Sequence, residues 1–423
     1  MIFLADADVV LPDRILSPGT IVIDEGRIVD VVQGAPPSSA ADLRFDLHGH
    51  VIVPGFIDVH VHGVEGSDTL DGADAIARIA ARLPRYGVTA FCPTSVACAP
   101  DALRTLLSAV RAARLTPQPA SARVLPAHLE SNFINPEYRG AQPLDCLRVP
   151  RHSSLGSDLV FQHPDVSQHP DVEIQDQTPK GEFKGEFTGR EILAEIELAR
   201  PDVGILTIAP ELEGAPDLIR DLVAHGHHVS LGHSGATYDQ ALEGIAAGAR
   251  QATHLFNRMP PVSHRAPGLA GAVLEHDDVC AEIVCDGVHV HPAMVRVALA
   301  AKSASRIMAI TDGTAGSGMP MGSTGRLGGR TITFRDAAYL DDGTLAGSVL
   351  TMDRAFAKLV TLMRVNPVDA ALVCATTPAR TLGLQGFGVI AGGAVADLVV
   401  LDAEWRVVQT WLAGTLAYGD TQR

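Results

Sequence analysis

Six residues of metal-ligand or acid–base type end apolar runs along the chain: His60 with His62, Glu130, His233, His254 and Asp312. Imidazoles accompanied by a carboxylate suit zinc or a similar borderline divalent ion. An ion held there would lower the pKa of a bound water toward neutrality and make it a nucleophile. Asp312, in Ile310-Thr311-Asp312-Gly313, has the position of a general base that takes the proton of that water and returns it to a leaving nitrogen. Each residue alone has a plainer reading. His60-x-His62 could be a hydrogen-bonded pair, Glu130 or Asp312 a helix cap, and His254 a satisfied core imidazole. Six such residues, each ending an apolar run, fit a shared site better than six coincidences.

The elements that must bring them together follow from the apolar pattern. Eight short runs are expected as buried strands: Val51–His60, Val88–Pro93, Arg123–Glu130, Val203–Pro210, His228–His233, Gln251–His254, Ala281–Asp286 and Arg306–Asp312. Helical patterns separate most of them, among them Ala73–Leu83, Pro100–Ala113, Gly189–Ala199, Pro216–His225, Asp239–Ala247 and Pro292–Ala301. Alternating units of this kind predict a (β/α)8 TIM barrel, here over residues 54–370, whose chemistry sits at the carboxyl ends of its strands. Residues 1–53 and 371–423 read as short strands and turns, such as Gly19–Asp24, the Glu25-Gly26-Arg27 turn, Ile28–Val32, Ala396–Asp402 and Arg406–Leu412. Neither end holds enough apolar residues for its own core, so the two are expected to form one small β-sandwich domain. Residues 149–188 break the order with local repeats, His163-Pro164-Asp165-Val166 against His169-Pro170-Asp171-Val172, and read as an inserted loop, a lid or an inter-subunit arm.

Composition narrows the partners. With 46% hydrophobic and 19% charged residues in 423, the chain can fill a large core. A formal net charge of −16 opposes general affinity for nucleic acid or anionic lipid. The first residues, MIFLADADVVLPDR, carry acids where a secretory leader carries basic and then apolar residues, and no stretch reaches the roughly 18 apolar residues of a membrane span. Six cysteines without C-x2-C pairs (Cys92, Cys98, Cys146, Cys280, Cys285, Cys374) fit reduced thiols in a cytoplasm.

Several motifs carry a resemblance across nearly the whole chain. Pro54-Gly55-Phe56-Ile57-Asp58-Val59-His60-Val61-His62-Gly63 resembles the first-strand signature of the amidohydrolase superfamily. His128-Leu129-Glu130, Ala209-Pro210-Glu211, Gly232-His233-Ser234-Gly235-Ala236-Thr237, Thr253-His254-Leu255-Phe256-Asn257, Asp286-Gly287-Val288-His289 and Thr311-Asp312-Gly313-Thr314 are similar to motifs of its N-acetylglucosamine-6-phosphate deacetylase family. The resemblance implies a metal-dependent deacetylase acting on a phosphorylated amino sugar. It implies a principal ion at Glu130, His233 and His254, a second at His60 and His62 with Glu130 bridging, and Asp312 as acid/base. Asn257 and His289 would contact the substrate, and Arg265 would bind phosphate across a homodimer interface, reaching the neighbouring subunit's site.

Three positions depart from that pattern. Ser131-Asn132 replaces the usual Gly-Pro beside the metal-binding glutamate, and Gln142 stands where a histidine contacts the acyl carbonyl. Glutamine can donate a neutral hydrogen bond and never a cationic one. Arg258 replaces a small residue and adds a charge where the phosphate is expected. Two alternatives stay open: deacetylation of another N-acyl amino sugar, such as N-acetylgalactosamine 6-phosphate or an unphosphorylated hexosamine, and a non-catalytic protein on the same fold. A cyclic amidase built on a carbamylated lysine is disfavoured, since none of the eight strand candidates contains lysine.

Overall fold

The computed structural model describes residues 1–34, 42–150 and 187–420. The insertion expected at 149–188 therefore lies, apart from its ends, outside the described residues. The residue before it meets its far end: the Arg148 guanidinium stacks 3.8 Å from the Phe187 ring centroid and donates from Nε to the Phe187 carbonyl at 2.8 Å.

Eight parallel strands form the barrel expected from the sequence, in chain order Phe56–Val61, Val88–Ser95, the split pair Arg123–Val124 and Ala127–Leu129, Val203–Ile208, His228–Leu231, Gln251–Ala252, Cys280–Val284 and Ile307–Ile310. The third strand is interrupted where Pro126 lacks an N–H for the ladder. The eighth and first close the ring just past their ends, where the Asp312 N–H donates to the His60 carbonyl (2.9 Å) and the His62 N–H to the Gly313 carbonyl (2.8 Å). Helices pack outside. In Pro100–Leu115 the buried Leu103, Leu106, Leu107 and Val110 make a stripe at helical spacing, with proline at the first turn. Tyr238–Ala246 starts on a capping box between Thr237 and Gln240, which fixes the exit of the loop carrying His233.

Strands from both termini form the separate β-domain. Its sheet joins Ile2–Val10, Ile15–Asp24, Arg27–Gln33, Leu43–Asp46 and Val51–Pro54 to Leu398–Leu401, Val407–Leu412 and Thr415–Tyr418. They close over a core of their own that includes Leu4, Ile21, Ile23, Ile52, Leu398, Val400 and Trp411. The Glu25-Gly26 turn has positive φ at both residues, 46° and 77°, the geometry that suits the right-handed twist of a tight hairpin.

The run expected as one strand, Val51–His60, is two. Val51–Pro54 pairs antiparallel with Leu398–Leu401 in the β-domain, and Phe56–Val61 opens the barrel. Gly55 is the hinge between them, its N–H donating to the Asp397 carbonyl at 2.9 Å. A Cβ there would sit 2.4 Å from Thr89, so only glycine lets the two sheets part at this point.

Several elements have no counterpart among the expected ones, including the helices Met352–Thr361, Pro367–Ala371 and Thr377–Thr381, the last of them where only strands and turns were expected. Gly268–Glu275 is a helix buried on most sides and so lacks a polar face to reveal its period. Thr324–Leu327, Arg330–Phe334 and Ala338–Tyr339 form a small antiparallel sheet after the eighth strand, with its own cluster around Phe334 and Ile332. Among the described residues no helix is long and apolar enough to cross a membrane. Gly55→Val is expected to lower stability by roughly 1–3 kcal/mol through overpacking against Thr89, read as a shifted denaturant midpoint; an unchanged midpoint would show that Thr89 yields freely.

Candidate metal centre

The predicted ligands do converge on the carboxyl-terminal mouth of the barrel. His60, in the first strand, and His62, one residue past its end, turn to the same side, their Nε2 atoms 3.3 Å apart. Glu130 follows the third strand, its N–H donating to the Ser95 carbonyl at 3.0 Å. His233, His254 and Asp312 each lie two residues past the end of a strand, and all three have left-handed backbone, with φ of 48°, 31° and 46°. For residues with a Cβ this costs of order 1–3 kcal/mol each, and such strain gathers at sites whose surroundings over-determine the geometry.

Glu130 is the hub. Its Oε1 lies 2.9 Å from His233 Nε2 and 3.0 Å from His254 Nε2, and those two nitrogens are 3.0 Å apart. Its Oε2 lies 3.3 Å from His62 Nε2 and accepts from the Gln142 amide. Asp312 Oδ1 sits across from it, 3.3 Å from His62 Nε2 and 3.5 Å from His60 Nε2. Two adjacent ligand sets result, Glu130–His233–His254 and His60–His62–Asp312, with Glu130 Oε2 reaching His62 of the second. Ligands about 2.0–2.1 Å from a tetrahedral ion stand about 3.3 Å from one another, so the spacing of the first set needs only a small expansion to hold one. The residues fit the group. Lone-pair nitrogens turned toward each other around one carboxylate are poorly satisfied by hydrogen bonds alone, and a cation resolves them.

The electrostatics agree. Burial pushes His60 down to about 4. Burial also opposes protonation of His62, yet the Asp312 and Glu130 carboxylates outweigh it and hold His62 up at about 10. Glu130 and Asp312 stay below the usual carboxylate range, because neighbouring imidazoles overcome the cost of burial. The cluster thus demands a positive charge at its centre, which a proton or a divalent ion can supply.

Supporting contacts hold the candidate ligands in place. His233 Nδ1 donates to the Tyr138 carbonyl at 2.9 Å. Glu211 accepts from Ser234 Oγ (2.7 Å), the Gly235 N–H (2.6 Å) and Asn135 Nδ2 (2.8 Å), pinning the loop behind His233. Gln142 Oε1 accepts from the Ala97 N–H at 2.7 Å, so this amide bridges the second strand's loop to Glu130. Glu282, on the seventh strand, lies 2.9 Å from His60 Nδ1. Sequence reasoning passed over Tyr138 and Glu282; for Glu282 the available signal was a lone acid inside the apolar strand Cys280–Val284.

The cluster opens into a cavity of about 450 Å³ whose walls include Gln142, Asn257, Arg258 and His289, together with Tyr138, Leu327 and Leu345. Arg258 donates from Nη2 to the Leu345 carbonyl at 3.1 Å, and Gly140 makes room for it, since a Cβ there would stand 2.4 Å from Arg258 Nε. His289 Nδ1 is 2.6 Å from Asp286 Oδ2. Arg265 stands apart, exposed in the loop after Pro261 and absent from the cavity wall. A larger cavity, about 1440 Å³, opens at the opposite, amino-terminal end of the strands beside Arg123, Val203 and His228. None of the candidate residues lines it, and barrel chemistry belongs to the other face.

A (β/α)8 barrel with histidines and carboxylates gathered at its carboxyl-terminal mouth is the architecture of metal-assisted hydrolases. The chain belongs to the amidohydrolase family, whose profile matches residues 51–419, and within it to the branch of the N-acetylglucosamine-6-phosphate deacetylases. The protein of that name from Danio rerio is 33% identical, over 95% of this chain and 90% of its own length. An Escherichia coli O157:H7 protein named N-acetylgalactosamine-6-phosphate deacetylase is 31% identical, over 87% of this chain and 88% of its own. A solved Mycobacterium smegmatis mutant enzyme, in complex with N-acetyl-D-glucosamine-6-phosphate, superposes with a TM-score of 0.82 at 31% identity, covering 98% of this chain and 99% of that one. Glu130→Ala is expected to remove most bound metal as well as activity, measured by elemental analysis of the purified protein; full retention of metal would contradict the hub geometry.

Proposed function

We propose that this chain hydrolyses the acetamide of N-acetyl-D-glucosamine 6-phosphate to D-glucosamine 6-phosphate and acetate. The observation that carries the reading is Asp312 Oδ1 and Glu130 Oε2, the latter from the Glu130–His233–His254 set, both lying 3.3 Å from His62 Nε2 in a sugar-sized cavity. The several relatives named for that reaction support the substrate. A divalent ion, zinc in our reading, would be held by Glu130, His233 and His254, with His60 and His62 able to hold a second, and would supply Lewis acidity toward the acyl carbonyl and toward water.

This chain's own residues do the rest. Asp312 accepts the proton as water adds to the acyl carbon, and delivers it to the sugar nitrogen as the carbon–nitrogen bond breaks. Gln142 keeps Glu130 in place. Asn257 and His289 orient the sugar from the cavity wall. Arg258 places a guanidinium beside the phosphate, in a wall that otherwise presents the carboxylates Glu130, Glu137 and Asp312. Arg265 is read as a second phosphate contact that acts on the neighbouring subunit of a homodimer, which its exposure away from its own cavity supports. Six free thiols are compatible with a cytoplasmic location.

Acetate release measured across phosphorylated and free N-acetylhexosamines tests the reading. The glucosamine 6-phosphate derivative is expected to give the highest kcat/KM. Preference for the galactosamine 6-phosphate derivative would move the assignment to the activity named for the Escherichia coli relative, and no release from any of them would sink it. Arg265→Ala is expected to raise KM for the phosphorylated sugar alone; an equal change for the free sugar would contradict a phosphate role. Asp312→Asn is expected to cut kcat by about 10²-fold or more while metal stays bound, and near-normal kcat would remove Asp312 from the mechanism.

A further inference from the structure

We propose that Glu282 is a positioning residue that orients His60, and fixes which of its ring nitrogens stays free, for a divalent ion at the His60–His62–Asp312 set. The proposal rests on the metal-assisted reading above. Glu282 lies within the seventh barrel strand, Cys280–Val284, and none of its surface reaches solvent. An acid so placed costs free energy unless its neighbours use it. Its Oε2 is 2.9 Å from His60 Nδ1 and 3.4 Å from the His254 N–H, so one carboxylate touches a residue from each ligand set.

Its other oxygen, Oε1, has no hydrogen-bond partner and lies 3.8 Å from His128 Nδ1. His128 is already engaged, with Nδ1 3.0 Å from the Val59 carbonyl and Nε2 3.1 Å from Thr207 Oγ1. The neighbouring group His60–His128–Glu282 also brings ligand-type atoms together. With both His128 nitrogens and His60 Nδ1 in hydrogen bonds, that group leaves an ion no unengaged nitrogen there beyond the single oxygen Glu282 Oε1, and it serves as a support beneath the site.

The consequence falls on His60. Donation from Nδ1 to Glu282 keeps the ring proton on that side, and the Nε2 lone pair then faces the mouth, 3.3 Å from His62 Nε2 and 3.5 Å from Asp312 Oδ1. A carboxylate behind an imidazole fixes its tautomer and ring plane and raises its basicity as a ligand, and losing such a partner costs about 10–100-fold in metal affinity.

The test uses the full chain stripped of metal and titrated with zinc against a chromophoric chelator. Glu282→Gln is compared with wild type, and again in a His60→Gln background. Zinc binding is expected to weaken about 10–100-fold in the first comparison and to change little in the second, since both substitutions act through one ring. Unchanged affinity in Glu282→Gln, or an equal loss in both backgrounds, overturns the proposal. Glu282→Asp, which keeps the charge and withdraws it by one methylene, should show the same pattern and serves if the glutamine variant does not fold. Failure of the deacetylase reading is separately visible: a wild-type protein that binds zinc with this coupling yet releases no acetate keeps the positioning role and loses the substrate.

Discussion

One carboxylate at the mouth of the barrel sets the terms for the rest of the structure. Glu130 is buried, its two oxygens are shared among His233, His254, His62 and Gln142, and four imidazoles crowd around it. Removing so many ionisable groups from water costs several kcal/mol per charge unless opposite charge is supplied within contact distance. The cluster therefore calls for positive charge at its centre, from a proton on His62 or from a divalent ion. That demand accounts for imidazoles and carboxylates arriving from five different strands, three of them on left-handed backbone.

The scaffold answers that demand with rigidity. Closure between the first and eighth strands runs through the backbones of His60 and Asp312 themselves, so the ring that makes the barrel also fixes the distance across the site. Glu211 and the Tyr138 carbonyl restrain the His233 loop from behind, and Gln142 ties Glu130 to the turn after the second strand. Function and fold share the same hydrogen bonds here. The cavity wall is less constrained: Arg258 owes its place to a glycine at 140 and one carbonyl at 345.

Much of this was legible in the sequence because strand tips are punctuated. A polar residue that ends an apolar run marks both the end of the strand and the face of the site, and His60, Glu130, His233, His254 and Asp312 were all visible in that way. Elements without such contrast were not. Gly268–Glu275 is apolar on most sides, the sheet around Phe334 is too short to show an alternation, and the division at Gly55 depends on the Thr89 side chain, which is distant in sequence. Glu282 points to a further limit. Its neighbours His60 and His254 come from other strands, so only the closed barrel shows that a lone acid in an apolar strand has partners.

The central claim, that this mouth is built around a divalent ion, is tested most directly by crystals grown with zinc and measured on both sides of its absorption edge. The account predicts an anomalous peak about 2.0–2.2 Å from a Glu130 oxygen and from Nε2 of His233 and His254. Zinc bound elsewhere, with those three side chains still hydrogen-bonded to one another, would contradict it.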